Sequence, residues 1–97
     1  MSNQTYSAYI SGPLSKRKEF GIDILESAAL DAGFSIVRRT NLASSSRLNQ
    51  EIVNSLRKAD IVLADITGNP AHVLYEVGFA QSLEKPVLFI EIGRAHV

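Results

Sequence analysis

Residues 59–90, ADIVLADITGNPAHVLYEVGFAQSLEKPVLFI, constrain the fold more than any other stretch of this chain. Two apolar runs of strand length, 61–64 and 87–90, flank a segment that is compatible with a helix from about residue 70 to residue 84. Two such runs separated by a helix are typical of a βαβ unit whose sheet is buried on both faces. The stretch therefore predicts a parallel sheet covered by helices.

The sequence before this stretch repeats the alternation of strands and helices. The predicted elements are a strand over 6–11, a helix over 16–32 that ends at Gly33, a strand over 34–37, a polar loop over 41–46, a second helix up to residue 59 and a strand over 60–66. Right-handed crossovers then favour a three-layer α/β/α fold of the flavodoxin-like or Rossmann-like type, with strand order 2-1-3-4.

Apolar residues at helical spacing predict the buried face of each helix. Gly78 is expected to let the third helix approach the sheet closely, and Pro70 suits the first turn of that helix. The predicted buried faces are Phe20, Ile24, Leu25, Ala28, Ala29 and Ala32 in the first helix, Leu48, Ile52, Leu56 and Ala59 in the second, and Val73, Val77 and Ala80 in the third.

Composition limits the classes of function. The 97 residues carry a net charge of zero and no cysteine, which argues against nucleic acid as a partner and excludes disulfides and thiolate metal sites. No apolar run approaches the length of about 20 residues that crosses a bilayer, and the first residues, MSNQTYSAYI, lack the pattern of a signal peptide. We therefore expect a cytoplasmic protein with no membrane partner.

The last seven residues, EIGRAHV, look like the in-frame translation of a sequencing adapter. We therefore expect a domain over 1–90 that is truncated after its fourth strand, followed by a non-native tail over 91–97. The alternative is a genuine polar C-terminus. A domain of this size that lacks an edge strand is expected to be inactive or marginally stable.

Glu76 is the first candidate for chemistry. It lies in the second turn of the third helix, whose N-terminus should face the crevice beyond the carboxyl ends of the strands. A carboxylate there could be a nucleophile or a general base. The alternative is a solvated helix glutamate, although apolar neighbours such as Tyr75, Val77 and Phe79 argue against it.

The loop after the third strand supplies a second set of candidates. Its polar residues could hold a phosphate or sugar hydroxyls together with the helix N-terminus; the alternative is a simple turn in which Asp65 or Asn69 caps the helix. The candidate binding residues are Asp65, Thr67, Gly68 and Asn69 in this loop, Ser11, Gly12 and Pro13 at the end of the first strand, and Glu51 near the start of the second helix.

Three further residue types have simpler explanations. Tyr9 could point its hydroxyl toward the crevice or belong to a core face. His72 has no second histidine or carboxylate cluster at ligand spacing, so we expect no metal site. Arg38 and Arg39 could meet a phosphate or could simply be a charged strand exit.

The patterns Ala-Asp-Ile-Val-Leu-Ala-Asp-Ile-Thr at 59–67, Tyr-Glu-Val-Gly-Phe-Ala at 75–80 and Lys-Pro-Val at 85–87 resemble the nucleoside 2-deoxyribosyltransferase-like superfamily. The opening Tyr-Ile-Ser-Gly-Pro at 9–13 is similar to its first-strand motif. That superfamily also contains N-glycosidases that hydrolyse deoxynucleoside monophosphates. The resemblance covers residues 6–90.

The resemblance implies a small nucleoside or nucleotide substrate, no cofactor and a homo-oligomer. It implies that Glu76 attacks the anomeric carbon to form a glycosyl-enzyme intermediate, that Tyr9 orients this carboxylate, and that residues 65–69 line the sugar or phosphate site. The loop before Glu76 lacks the aspartate with which the transferases handle the leaving base.

Two alternatives stay open. The form Ala-Asp-Ile-Thr-Gly-Asn-Pro at 64–70 also resembles TIR-like nucleotide-binding domains of bacterial defence proteins, in which a glutamate helps to cleave NAD. The other alternative is a non-catalytic nucleotide-binding module, which should tolerate the loss of Glu76.

Overall fold

The computed structural model describes residues 5–12, 19–37 and 45–91, with side chains for all of these except residues 19–21 and 45–49. Strands and helices alternate along the chain, as predicted. The elements are β1 (Ser7–Ser11), α1 (Glu19–Asp31), β2 (Ser35–Val37), α2 (Ser45–Lys58), β3 (Ile61–Asp65), α3 (Ala71–Ser82) and β4 (Val87–Ile90).

The four strands form one parallel sheet in the order β2-β1-β3-β4. This confirms the predicted flavodoxin-like or Rossmann-like α/β fold and its strand order. β1 and β3 are the central strands, and their register pairs Ser11 with Ala64. The crossovers change direction between these two strands, and folds of this type bind their ligands at such a switch point, beyond the carboxyl ends of the strands.

Helices cover both faces of the sheet. Successive side chains along each central strand point to opposite sides, so each strand contributes to two layers of the core. Ala8, Ile10 and Leu63 pack with Leu25 and Ala29 of α1 on one face. The other face packs against α2 and α3. Its two adjoining clusters contain Tyr9, Ile52, Leu56, Ala59, Val62 and Ala80, and Ala64, Val73 and Val77.

The predicted buried face of α1 is wrong in part. Ile24 is 39% exposed and Ala28 and Ala32 are exposed, whereas Leu25 and Ala29 are buried and Ile22 packs against them. The side chains of Phe20 and of Leu48 in α2, which were also predicted to be buried, lie outside the described part of the chain. The helix carries apolar residues around much of its circumference, so its sequence contains two stripes at helical spacing. Contact with the sheet selects the stripe that contains Ile22, Leu25 and Ala29.

Three local predictions about α2 and α3 also need correction. α2 begins at Ser45, inside the predicted loop, because serine is favourable at helix starts as well as in loops. Pro70 is the N-cap residue of α3, with φ −69° and ψ 127°, and lies just before the first turn. Gly78 is exposed and has no atom within 4 Å of an added Cβ, so it does not serve close packing against the sheet.

α1 and α3 end in the same hydrogen-bonded arrangement. In α1, Phe34 N–H donates to the Ala29 carbonyl and Gly33 N–H to the Leu30 carbonyl; in α3, Lys85 N–H donates to the Ala80 carbonyl. Glu84 N–H completes the second pattern by donating to the Gln81 carbonyl. These are Schellman motifs, which need a left-handed residue after the helix. Gly33 fills that position in α1, as predicted, and Glu84 fills it in α3 at φ 61°.

β4 lies at one edge of the described sheet, and its outer residues are less covered than those of the central strands. Leu88 is 53% exposed and Phe89 is 48% exposed. Within the described ranges, no helix is long and apolar enough to cross a membrane.

Candidate functional site

The carboxyl edge of the central strands brings the main candidate residues together. β1 ends at Ser11 and β3 ends at Asp65, and α3 begins at Ala71 after a short loop. Because α3 runs back across the sheet from this edge, its second turn passes the end of β1. The fold thereby places Glu76, Ser11 and Gly12 near one another at the switch point.

A buried hydrogen bond joins Glu76 to β1. The hydroxyl of Ser11 donates to Oε1 of Glu76 at 2.5 Å. Ser11 is fully buried and Glu76 is 1% exposed, so the alternative of a solvated helix glutamate is wrong. Removing a carboxylate from water is costly unless protein groups replace its hydration. The Ser11 hydroxyl supplies one such replacement and fixes the direction of the carboxylate.

The sequence prediction named Ser11 as a ligand-binding residue but did not connect it to Glu76. One signal was available. Ser11 follows Tyr9 by two positions and therefore shares its face of β1, which is the face that packs against α2 and α3. A small hydroxyl residue at the end of a buried strand face is a natural donor to a carboxylate on the covering helix.

His72 makes a second contact between α3 and the end of β1. Its ring nitrogen Nε2 lies 2.6 Å from the carbonyl oxygen of Gly12. Because a carbonyl can only accept, Nε2 carries the proton and donates it. His72 precedes Glu76 by one helical turn, so the two side chains project from one face of α3. His72 has no role among the sequence predictions, although its spacing from Glu76 could have indicated one.

Gly12 has a steric role at this edge. A Cβ atom at Gly12 would lie 2.8 Å from Cγ1 of Ile22 in α1 and 3.7 Å from Cβ of Asp65. The first distance is shorter than a normal contact between carbon atoms. The absence of a side chain at Gly12 therefore lets α1, β1 and β3 meet closely beside the switch point.

Asp65 is buried and serves its own loop. Its Oδ1 accepts hydrogen bonds from the backbone N–H of Thr67 at 3.0 Å and from the Thr67 hydroxyl at 2.5 Å. The loop then turns through Gly68 and Asn69, both with positive φ, and Asn69 N–H donates to the Ile66 carbonyl at 2.9 Å. The alternative in which Asp65 or Asn69 caps α3 is wrong, because the cap residue is Pro70 and α3 has no side-chain cap.

A surface cleft of about 270 Å³ adjoins this loop and is lined by Ile66, Gly68, Asn69 and Glu91. Two of these residues, Gly68 and Asn69, were predicted to bind a ligand. Glu91 is the first residue of the predicted tail. Glu76 is not among the described residues that line the cleft, so the cleft and the buried carboxylate are separate features.

The roles of the remaining predicted residues are not tested by the described contacts, and three of these residues lie outside the described ranges. Tyr9 is 1% exposed and belongs to the core cluster with Ile52 and Leu56; its proposed role in orienting Glu76 stays a prediction. Glu51 is half-buried in α2, and its role also stays a prediction. Pro13, Arg38 and Arg39 lie outside the described residues.

Metal ligands do not cluster in the described part of the chain. No group of three or more His, Asp or Glu side chains there could hold a metal ion. The groups that meet at the ends of β1 and α3 are the buried carboxylate of Glu76, its donor Ser11 and the imidazole of His72.

One of three comparisons with known proteins found a similarity, and it is to a solved structure. No protein-family model matches the chain, and no curated protein matches it. Among solved structures, the chain is similar to the 2-desoxiribosyltransferase from Leishmania mexicana, with a TM-score of 0.70 and 18% sequence identity. The match covers 91% of this chain and 65% of the neighbour, so this chain spans about two thirds of the neighbour's length. At this identity the similarity establishes a shared fold.

Proposed function

We propose that this chain belongs to an enzyme that cleaves or transfers at the N-glycosidic bond of a nucleoside or nucleotide, with Glu76 as the nucleophile. One observation carries the proposal: a carboxylate that is 1% exposed accepts a hydrogen bond from Ser11 at the switch point of the sheet. The name of the structural neighbour, a 2-desoxiribosyltransferase, supports the choice of bond.

In the proposed reaction, the Glu76 oxygen that is not bonded to Ser11 attacks the anomeric carbon of the sugar. The bond between this carbon and the base nitrogen breaks, its electron pair leaves with the base, and the base takes up a proton from solvent. Water or a second base then attacks the same carbon and releases a proton to solvent, and the electron pair of the ester bond returns to Glu76. Two displacements retain the configuration at the anomeric carbon.

Burial of Glu76 sets a condition on this mechanism. Reacting atoms must approach to about 3–3.5 Å, so the sugar has to reach a carboxylate that the described residues almost fully cover. Entry of the sugar therefore requires movement of side chains around the end of β1. A site that closes over the sugar in this way would also exclude water, and the exclusion of water strengthens electrostatic interactions at the reacting carbon.

The proposal is tested by base release from the full-length protein. The substrates are a panel of deoxynucleosides, deoxynucleoside monophosphates and NAD, and the released base is measured by chromatography. We expect Glu76→Gln to lower turnover by at least about 10³-fold. Its melting temperature should change little, because the glutamine amide oxygen can still accept the Ser11 hydrogen bond.

Asp60→Asn is the matched control, because it makes the same chemical change in an exposed carboxylate at the opposite edge of the sheet. It should keep full activity. A Glu76→Gln variant with full activity would exclude the nucleophile. Release of nicotinamide from NAD would instead support the TIR-like alternative, and binding without release would support the non-catalytic module.

A further inference from the structure

We propose that His72 is a positioning residue, which holds the end of β1 against α3 so that the Ser11 hydroxyl stays aligned with Glu76. This inference rests on the proposed function of Glu76. Its basis is a pair of contacts between the same two elements: Ser11 donates to Glu76 at 2.5 Å, and His72 donates to the carbonyl of Gly12 at 2.6 Å.

The two contacts hold consecutive residues of β1. Ser11 and Gly12 are neighbours in the chain, and His72 and Glu76 lie one turn apart on α3. The pairing between β1 and β3 ends at Ser11 and Ala64, so the Gly12 carbonyl lies beyond the paired part of β1. The imidazole therefore secures the strand where its ladder to β3 has ended.

The position of Ser11 relative to Glu76 depends on this attachment. A serine side chain has one rotatable bond to its oxygen, so the location of its hydroxyl follows the backbone of β1 closely. A displacement of about 1 Å at a catalytic centre can lower the rate by about 100-fold. The contact at Gly12 thus controls the distance between the Ser11 oxygen and Glu76 without touching the substrate.

His72→Phe tests the role, because phenylalanine keeps a planar ring but has no N–H. With the member of the substrate panel that wild type cleaves fastest, we expect kcat to fall by about 10- to 100-fold. KM should stay within about twofold, since misalignment of a nucleophile acts on the transition state. The His72→Gln variant should keep most of the wild-type kcat, because the glutamine amide N–H can donate to the Gly12 carbonyl.

A double-mutant cycle distinguishes positioning from a general contribution to stability. If His72 acts through Ser11, adding His72→Phe to a Ser11→Ala background should lower kcat by less than about twofold further, because the aligned hydroxyl is already absent. A purely structural role predicts that the second substitution lowers kcat by the same factor in both backgrounds. Melting temperatures of all four proteins identify any variant that fails to fold.

Crystal structures of the His72→Phe and His72→Gln proteins give a readout that does not depend on activity. We expect the Ser11 to Glu76 distance to exceed hydrogen-bond range in the phenylalanine variant and to stay near 2.5 Å in the glutamine variant. An unchanged distance in His72→Phe would overturn the inference. If that distance lengthens while Glu76→Gln remains active, the positioning role stands and the proposed reaction fails.

Discussion

β1 carries a serine hydrogen-bonded to a carboxylate at each of its ends, and the two pairs differ in their surroundings. At the amino end, the Ser7 N–H donates to Asp60 Oδ2 at 2.7 Å, and the Ser7 hydroxyl lies 2.8 Å from the Lys58 carbonyl oxygen and 3.2 Å from the same Oδ2, with Asp60 exposed. At the carboxyl end, Ser11 and Glu76 are both buried. The first pair joins two strands of one sheet, and the second joins the sheet to a helix.

This difference indicates which pair can support chemistry. Water can solvate Asp60 if its partner is lost, so the amino-end pair contributes little beyond local order. The carboxylate of Glu76 depends on protein donors, and its direction is therefore fixed by the fold. A carboxylate held in this way suits a nucleophile, and it lies at the edge where folds of this class bind ligands.

Removing the two serine hydroxyls should give unequal losses of stability. Ser11→Ala leaves a buried carboxylate short of a donor and should lower the free energy of unfolding by about 2–3 kcal/mol. Ser7→Ala should cost about 0.5–1 kcal/mol, because Asp60 keeps the N–H of Ser7 and the hydroxyl contacts that are lost, to Asp60 and to the Lys58 carbonyl, are exposed to water. Urea denaturation of the full-length variants measures both. Equal losses would contradict the distinction between the two pairs.

Adding a methyl group at the carboxyl edge should also be costly. Gly12→Ala would place Cβ 2.8 Å from Cγ1 of Ile22, and the resulting overpacking should lower the free energy of unfolding by about 1–2 kcal/mol. Gly78→Ala is the control, because nothing lies within 4 Å of its Cβ and alanine is the better helix former. In urea denaturation, a harmless Gly12→Ala would show that this edge is less tightly packed than described.

The smallest expected effect on stability lies beside the amino ends of the strands, where α3 ends. Glu84 has φ 61°, a conformation that glycine adopts without strain, and Glu84→Gly should raise the free energy of unfolding by about 0.5 kcal/mol after the entropy cost of glycine is subtracted. Gly33→Ala, at the equivalent position of α1, should lower it by about 1 kcal/mol. Thermal melts check both, and activity should be unchanged in each.

Much of the fold could be predicted because its patterns are local. The apolar run that became β3 has no competing assignment, and strands that alternate with helices admit few topologies. The face of α1 could not be predicted, because both of its apolar stripes fit a helix and contact with the sheet chooses between them. The burial of Glu76 could be anticipated from its apolar neighbours.

The sequence offers weaker signals for the contacts between α3 and the end of β1: the strand face that Ser11 shares with Tyr9, and the spacing of His72 and Glu76. Ser11 lies 65 residues before Glu76, and His72 reaches Gly12 across 60 positions. The helical and strand periodicities of a sequence relate residues only a few positions apart, so they do not predict contacts at such separations. These contacts follow from strand register and from the angle at which α3 crosses β1, which are tertiary properties.

The long separation between Ser11 and Glu76 also affects when the site can form during synthesis. The ribosome adds Ser11 well before it adds α3, so the strand end exists for a time without its carboxylate. Contacts between distant residues form late, because closing the intervening chain costs entropy before the contact contributes. Early helices can therefore appear in a chain that still lacks the candidate nucleophile, and the contact between Ser11 and Glu76 forms only when α3 has docked against β1.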